Sequence, residues 1–309
     1  MKTFIRRILL YMLPILLVAA ALEIFIRRIP NDYTFKKEYM DAHAGEIQTL
    51  IVGNSHALYG VNPIFLSSNS FNVSNVSQTL EYDYEILKKY ESRLVNLKTV
   101  IIPVSSLSFY VTAETGKESW RQKNYRIYSG INKKIPLKYR FEISSLSLKT
   151  NIKRVITRLK DGGKIISSSL GWGTGYSSDR AQDLQESALA AAARHTVKNI
   201  HSRESEEILE YNREITDSII SLCRRRGADI LFFTPPAWKT YRQLLNREQI
   251  DSNVKTIEEI SQQHSHCRYI NLYSDTSFIA VDFYDADHLS DRGAEKLSLL
   301  LDSLITVRK

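Results

Sequence analysis

Three side chains of the sequence could together perform acyl transfer. Ser55 follows the apolar run Thr49–Val52, and Asp285 and His288 lie in one short stretch near the far end of the chain. Acyl transfer through a serine needs a hydroxyl group, a base that takes its proton, and an anion that holds the base in the right tautomer. The spacing of Asp285 and His288 lets one loop present both side chains, with the carboxylate on one ring nitrogen and the other nitrogen directed outward.

Each of these residues also has a purely structural interpretation. Taken alone, Gly53-Asn54-Ser55 is a turn that caps the next helix, and Asp285 and Asp287 are acids near a helix start with His288 as a capping or surface histidine. The presence of all three residue types at convergent positions favours catalysis. Asp287 remains a rival for orienting the histidine, and His56 is interpreted as structural.

The order of the predicted elements brings these residues to one edge of a sheet. Short apolar runs bounded by turn residues predict buried parallel strands, and helical spacing between them predicts crossover helices. The predicted strands are Thr49–Asn54, Phe71–Val73, Thr99–Val104, Ala228–Phe233 and Tyr269–Leu272, and the predicted helices are Pro63–Leu66, Glu81–Tyr90, Ser205–Arg226, Tyr241–Gln263 and Arg292–Val307. We therefore expect an α/β fold, a flavodoxin-like three-layer sandwich with a five-stranded parallel sheet. Ligands gather at the carboxyl ends of such strands.

The N-terminal segment predicts a membrane anchor. Ile8–Ile26 is nearly all apolar and is flanked by arginine pairs, and about 20 apolar residues are needed for a helix that spans a bilayer. We assign residues 1–30 to the anchor and 31–46 to a juxtamembrane connector. A cleaved signal peptide is the alternative, because Ala19-Ala20-Ala21 offers a cleavage site. Flanking charges do not decide the orientation. With an anchor or with a cleaved signal peptide, we expect the remaining chain outside the cytoplasm.

Composition excludes several classes of protein. The chain has 43% hydrophobic and 25% charged residues, which excludes a disordered protein. Residues 1–30 carry +4 of the net charge of +8, and the other +4 is expected as a mildly basic surface. That remainder lacks the stripe of basic and aromatic residues that is typical of proteins that bind nucleic acid, so no nucleic-acid partner is predicted. Cys223 and Cys267 could pair or remain buried thiols, but their spacing does not predict a zinc site. Neither a metal nor a cofactor is predicted.

Residues 105–204 interrupt the strand and helix pattern. The region is polar and tyrosine-rich, and we interpret it as an insertion or lid over the carboxyl edge of the sheet. Trp172, Tyr176 and Tyr125 are candidates to line a substrate cleft there, with ordinary packing as the alternative for each. Gly171–Tyr176 does not match a dinucleotide-binding loop, because no buried strand precedes it.

The two separated motifs resemble the SGNH/GDSL hydrolase superfamily. Gly53-Asn54-Ser55, with Asn54 in place of the usual aspartate, stands near the start, and Asp285-x-x-His288-Leu289 stands near the end. With its anchor and insertion, the chain looks most like the membrane-anchored branch that includes the D-alanyl transfer protein of teichoic acid synthesis and polysaccharide O-acetylation proteins. The resemblance covers residues 47 to 307 of a predicted catalytic domain, 47–309. It implies that Ser55 is the nucleophile, His288 the general base and acid, and Asp285 its orienter.

The resemblance also implies an oxyanion hole, which is only partly recognisable here. The family uses the backbone N–H of the nucleophile and that of a glycine in a second block, and Ser77 aligns best with that glycine. The family's third block, Gly-x-Asn-Asp, is absent after the third strand. Ser55 and Ser77 are therefore the expected donors, and Gln78 or Ser106 are weaker candidates for the last one.

The function implied by the resemblance is that of an extracytoplasmic, membrane-tethered serine esterase or O-acyltransferase. It would act on acyl groups, most simply acetyl groups, of a cell-surface or exported glycan. Hydrolysis and transfer differ only in the acceptor of the acyl group, and the sequence leaves both open. A transferase would be expected to work with a membrane-bound O-acyltransferase. The alternative is a non-catalytic glycan-binding or assembly subunit that retains the fold, and the missing third block favours it.

Overall fold

The computed structural model describes residues 1–162 and 165–306, which form two compact units. The larger unit comprises Tyr39–Lys117 and Ile166–Lys309, and the smaller comprises Met1–Glu38 and Glu118–Ile165. The region predicted as an insertion therefore contributes to both units. Each unit is described in turn.

The larger unit contains a five-stranded, all-parallel sheet. Its strands are β1 (Thr49–Ile51), β2 (Ser70–Asn72), β3 (Thr99–Pro103), β4 (Asp229–Thr234) and β5 (Cys267–Asn271). The strand order is β2-β1-β3-β4-β5, with every neighbouring pair parallel. This is the flavodoxin-like order, so the predicted α/β class and sheet are confirmed.

Two of the five helices predicted from the sequence differ in the structure. They are α1 (Lys2–Arg27), α2 (Asp32–His43), α3 (Ser55–Gly60), α4 (Leu80–Tyr90), α5 (Gln122–Ile127), α6 (Glu142–Ser145), α7 (Leu148–Asp161), α8 (Leu184–His195), α9 (Arg203–Arg225), α10 (Lys239–Leu244), α11 (Arg247–Gln263) and α12 (Asp291–Thr306). The prediction of one helix over Tyr241–Gln263 is wrong. Asn246 caps α11 by accepting a hydrogen bond from the N–H of Gln249, and this N-cap geometry separates α10 from α11. The predicted short helix at Pro63–Leu66 is a single 3-10 turn, Pro63–Phe65.

The sheet is buried on both faces. Successive residues of the strands point to opposite faces, yet both Leu50 and Ile51 are fully buried, as are Val100 and Ile101. A strand covered on both sides reads as a continuous apolar run, which is why the sequence pattern predicted these strands. Helices therefore cover both faces, as expected for a three-layer sandwich.

Two connections at the carboxyl edge of the sheet position the candidate site. β1 passes into α3 through Gly53, whose φ is +122° and whose Cβ, if present, would lie 2.4 Å from Cδ of Pro103. Only glycine fits this sharp turn against a neighbouring strand. The loop before α12 is closed by an antiparallel bridge between Phe283 and Leu289, and α12 packs against α3. These contacts bring the two ends of the larger unit together.

The smaller unit contains the apolar N-terminal helix. Within α1, Leu10–Arg27 is both long enough and apolar enough to cross a membrane, and no other helix among residues 1–162 and 165–306 meets both conditions. Tyr125, a candidate for the substrate cleft or for ordinary packing, is buried inside this unit, with its ring edge-on to that of Tyr33 at 5.1 Å.

Charge divides sharply between the two units. Glu118–Ile165 has 13 basic and three acidic residues, a net charge of +10. The sequence of the whole smaller unit carries +14, and that of the larger unit carries −6. The expectation of a mildly basic surface spread over all residues after the anchor is therefore wrong, because the excess is concentrated in one segment.

Cys223 and Cys267 are both free thiols buried in the larger unit. Burial raises the pKa of each thiol to about 12. Of the two alternatives for these cysteines, the structure has the buried thiols.

Candidate active site

Ser55 and His288 are in direct contact. Ser55 is the first residue of α3, and its Oγ lies 2.8 Å from Nε2 of His288. This is the distance at which an imidazole can accept the proton of a serine hydroxyl. Two residues that are 233 positions apart in the chain are thus brought within hydrogen-bonding distance.

Asp285 holds the other side of the imidazole. Nδ1 of His288 lies 3.1 and 3.2 Å from the two carboxylate oxygens of Asp285. The backbone N–H groups of Asp287 and His288 also donate to Oδ1 of Asp285, at 2.9 and 2.8 Å. The loop therefore fixes the carboxylate with its own backbone, in the manner of an Asx turn. Asp287, the rival orienter, is farther from Nδ1 of His288, at 3.7 Å.

The electrostatics of this pair favour a basic imidazole. Burial alone would lower the pKa of His288, but the negative charges of Asp285 and Asp287 outweigh it and raise the pKa above its ordinary value. Burial acts in the opposite sense on Asp285, where the neighbouring histidine outweighs it and lowers the carboxyl pKa. A histidine with a raised pKa holds a transferred proton more readily.

A second histidine–carboxylate group lies behind the first. Oδ1 of Asp287 is 3.1 Å from Nε2 of His56, and its Oδ2 is 3.3 Å from Nδ1 of His195. Burial would raise the pKa of Asp287, but His56, His195 and His288 together lower it well below its ordinary range. Burial lowers the pKa of His195. Asp287 is therefore a buried anion surrounded by imidazoles.

His56 is held between two acceptors. Its Nε2 faces Asp287, and its Nδ1 lies 3.1 Å from Oδ1 of Asn54. The Asn54 amide orientation is fixed, because Oδ1 also accepts from the His56 backbone N–H at 3.0 Å while Nδ2 donates to Ser105 Oγ at 2.9 Å. The His56 ring also stacks on that of His288, with centroids 4.8 Å apart.

Sequence reasoning missed His195 and Tyr241. The hydroxyl of Tyr241 lies 2.9 Å from Nδ1 of His195 and 3.2 Å from Oγ of Ser106. His195 ends α8, within the region interpreted as an insertion, and Tyr241 lies in α10. Neither residue belongs to a local motif, so only the tertiary structure reveals their convergence on Asp287.

The predicted oxyanion residues lie around the Gly53 turn. Ser77 has φ +56°, the one positive value at a non-glycine residue in the described part of the chain. It therefore adopts the left-handed conformation that glycine would favour at this position. The side chain of Gln78 donates to Asp83 at 2.7 Å and accepts from Asn75 at 2.9 Å. The Gln78 amide is thus engaged in supporting the loop.

Asp83 lies beneath this turn. It is 2% exposed and accepts hydrogen bonds from the side chain of Gln78 and the backbone of Gly53. Burial raises its pKa to about 7, against the opposing effect of these two bonds. Ser106, the other weaker candidate donor, has its hydroxyl directed to Tyr241.

Of the three candidate cleft residues, Tyr176 is the one beside His288. Its ring stacks between those of Tyr59, at 3.7 Å, and Tyr284, at 4.0 Å. It also meets the His288 ring at a steep angle, with centroids 5.4 Å apart. Trp172 donates its Nε1 hydrogen to the carbonyl of Tyr59 at 2.7 Å, so it ties the Gly-rich segment to α3.

A small cavity lies next to the second histidine–carboxylate group. Its wall includes His56, Ser105, Tyr241, Asn253 and Asp287, with Pro235, Pro236, Ile250 and Val254 on the apolar side. Three lining residues carry a buried polar atom outside hydrogen-bond geometry with any described residue, namely Asn253 Oδ1, Tyr273 OH and Asp287 Oδ2. The cavity is therefore polar on the side of Asp287 and is suited to a water molecule or a small polar group.

The imidazoles could in principle hold a metal ion. Ligand atoms of His56, Asp287 and His288 lie within 4.8 Å of one another. However, the ring nitrogens of His288 face Ser55 and Asp285, and those of His56 face Asn54 and Asp287. A metal would have to break the Ser55–His288 contact or the His56 bonds, so these residues fit proton transfer better than metal binding.

Comparisons with known proteins add weak similarities. No protein-family model and no curated protein matches the chain. Among solved structures, a Streptococcus pneumonia protein described provisionally as a platelet activating factor is 11% identical with a TM-score of 0.46, covering 96% of this chain and 98% of that chain. A protein of Bacteroides fragilis NCTC 9343, described provisionally as an acylhydrolase, is 12% identical with a TM-score of 0.40, covering 87% of this chain and 95% of that chain.

Proposed function

We propose that this protein is a membrane-anchored serine hydrolase or acyltransferase of the SGNH type, with Ser55, His288 and Asp285 as its catalytic triad. The observation that carries the proposal is the 2.8 Å contact between Ser55 Oγ and His288 Nε2. The same ring is held on its other side by Asp285, at 3.1 Å. A turn serine and a surface histidine would have no reason to meet across 233 residues with a carboxylate behind them.

The reaction begins with proton transfer from Ser55 to His288. The freed oxygen attacks the ester carbonyl, and the resulting imidazolium is stabilised by Asp285. His288 then gives its proton to the leaving alcohol, and Ser55 retains the acyl group as an ester. Water or an acceptor hydroxyl, activated by the same imidazole, then attacks this acyl-enzyme and releases Ser55. Hydrolysis and transfer share every step except the identity of this second nucleophile.

Backbone N–H groups would stabilise the oxyanion. Ser55 is the first residue of α3, where N–H groups have no acceptor within the helix. Ser77, in its left-handed conformation, is proposed as the second donor in place of a glycine. The Gln78 amide bonds with Asn75 and Asp83, so Gln78 is the weaker candidate and acts mainly by supporting the loop.

The substrate and location follow from the resemblance and from α1. The apolar segment Leu10–Arg27 supports a single membrane span. The location of the catalytic unit outside the cytoplasm is proposed from the resemblance alone. The motifs and the anchor together resemble those of proteins that acylate or deacylate exported polysaccharides. We therefore propose an O-acylated, most simply O-acetylated, cell-surface glycan as substrate, and a membrane-bound O-acyltransferase as partner if the protein is a transferase.

Labelling with a fluorophosphonate tests the catalytic proposal. The intact protein should be tagged at Ser55, because the probe needs a hydroxyl activated by a base. Ser55→Ala should abolish the tag. Ser218→Ala is the matched control, because it removes a partly exposed hydroxyl of α9 that donates to the carbonyl of Glu214, and it should keep the tag. Absence of any tag on folded wild-type protein would overturn the catalytic role and favour a binding or assembly subunit.

A further inference from the structure

Helix α7 turns a polar face toward the rest of the smaller unit. Nη1 of Arg154 donates to the fully buried carboxylate of Glu142 at 2.5 Å, and the side chain of Asn151 donates to the Glu142 carbonyl at 3.3 Å. Lys123 also binds Glu142, at 2.6 Å. Together with Arg154, it outweighs burial and lowers the pKa of that carboxyl. Helices of globular proteins normally pack their apolar stripe inward, so the orientation of α7 is inverted.

The apolar stripe of α7 faces outward. Leu148, Ile152, Ile156 and Leu159 follow helical spacing on one face and are 67%, 48%, 46% and 72% exposed. Helical geometry places Lys149, Lys153 and Lys160 along one margin of this stripe. We call Leu148, Ile152, Ile156 and Leu159 the α7 stripe. A contiguous exposed apolar face rimmed by charge marks a site of interaction.

Charge identifies the kind of partner. The segment Glu118–Ile165, which contains α7, has a net charge of +10, whereas the whole chain has +8. An apolar face flanked by lysines is the pattern of helices that lie in the surface of an anionic bilayer. A protein partner could also cover an apolar stripe, but it would not account for so large a basic excess around it.

Contacts with α1 favour the same partner. Glu23, the one acidic residue in the apolar segment, accepts hydrogen bonds from the backbone N–H groups of Glu142 and Ile143, both at 3.0 Å. Arg27 donates to the carbonyl of Arg140 at 3.2 Å. The short helix α6, which precedes α7, is thus bonded to the last turns of α1. If α1 spans a bilayer, α7 begins close to the level where that span ends.

We propose that α7 lies in the interface of an anionic lipid bilayer, with the α7 stripe inserted about 5–10 Å into the headgroup and acyl boundary. Its lysines extend along the stripe to reach lipid phosphates. The inference rests on the proposed membrane anchoring by α1, and it assigns the smaller unit a second, lateral contact with the same membrane.

Site-directed fluorescence on the full chain tests this inference. Cys223 and Cys267 are buried, so a cysteine introduced by Ile156→Cys can be labelled selectively with a polarity-sensitive dye. The protein is reconstituted into vesicles of phosphatidylcholine and phosphatidylserine, with and without lipids brominated in the acyl chain. We expect a blue shift, quenching by the brominated lipid, and protection from aqueous iodide.

The matched control is Leu299→Cys in α12, an apolar residue of similar exposure, 51%, that belongs to the larger unit. Its label should respond to iodide and not to brominated lipid. Equal responses at the two positions would overturn the proposal. A blue shift at residue 156 without quenching by brominated lipid would also overturn it, because a protein would then cover the α7 stripe.

Two further measurements distinguish a failure of this proposal from a failure of the proposed anchoring by α1 or of the proposed catalytic role of Ser55. Resistance of the full chain to alkaline extraction from the vesicles reads the anchoring by α1, which does not depend on α7. Fluorophosphonate labelling of Ser55 reads the catalytic proposal. The triple change Lys149→Gln, Lys153→Gln and Lys160→Gln should reduce lipid quenching at residue 156 and leave both readouts unchanged.

Discussion

Two histidine–aspartate pairs lie side by side in the larger unit. They differ in the group that contacts the ring nitrogen on the side away from the aspartate. His288 is held by Asp285 and presents its free side to the Ser55 hydroxyl, at 2.8 Å. His56 is held by Asp287 and presents its other side to the Asn54 amide oxygen, at 3.1 Å. The first arrangement can accept a proton from its neighbour, whereas the second cannot, since Asn54 offers only an acceptor. Both histidines contact a carboxylate, so the carboxylate does not distinguish them. Whether such a histidine can act as a base depends on the group at its other ring nitrogen, which must be able to donate a proton.

The largest expected effect is on the pair that reaches Ser55. His288→Ala should reduce p-nitrophenyl acetate hydrolysis by about 10⁴-fold or more, because the base is lost. His201→Ala, a change at an exposed histidine, is the control and should leave turnover intact. Circular dichroism should show that both variants are folded. Unchanged turnover in His288→Ala would end the assignment of a triad.

The next largest effect is expected at the orienting carboxylate. Asp285→Asn keeps an oxygen for the backbone N–H groups of Asp287 and His288, so the loop should persist. It removes the charge that stabilises the imidazolium, and we expect kcat to fall by about 10²–10⁴-fold. Asp287→Asn should lower kcat by much less. Equal losses in the two variants would mean that the pairs are not functionally distinct.

The two pairs should also be coupled through charge, which a pH profile can measure. His288 acts as a base only when neutral, and its raised pKa places the acid limb of kcat/KM above the ordinary histidine value. Activity should therefore fall as the pH drops through that pKa. Asp287→Asn removes one of the anions that raise it, so the limb should move to lower pH. An acid limb that stays in place would show that Asp287 does not influence His288.

The smallest effect is expected at His195. His195→Asn can keep a donor near the position of Nδ1, which lies 2.9 Å from the hydroxyl of Tyr241 and 3.3 Å from Asp287. We expect a loss of about 1 kcal/mol in the free energy of unfolding, measured in urea, and little change in kcat. A loss of activity as large as that of Asp285→Asn would contradict a supporting role.

The sequence predicted those features that depend on local pattern. Runs such as Thr99–Pro103 are recognisable because strands buried on both faces must be continuously apolar, and Ser55 and the Asp285–His288 loop combine distinctive residue types with positions at strand ends. The contact between His195 and Asp287 was not predicted, because the sequence of α8 contains no pattern that indicates it. The break between α10 and α11 depends on the cap at Asn246. The helical spacing continues across this position, so the pattern alone predicts a single helix.

The division into two units was also beyond the sequence pattern. The smaller unit joins Met1–Glu38 with Glu118–Ile165, segments separated by about 80 positions of the other unit. Periodicity describes neighbours along a chain and gives no information on which distant segments pack together. The inverted face of α7 adds to the difficulty, because an apolar stripe read from sequence would be assigned to the core.

The separation of charge between the units has a consequence for encounter rates. A protein with a calculated isoelectric point of 9.3 would ordinarily be expected to attract polyanions, yet the sequence of the unit that carries Ser55 has a net charge of −6. Like charges slow diffusional association, and dissolved salt weakens that repulsion. Uncharged or cationic acyl esters should therefore approach this unit faster than anionic ones, and the preference should fade as ionic strength rises.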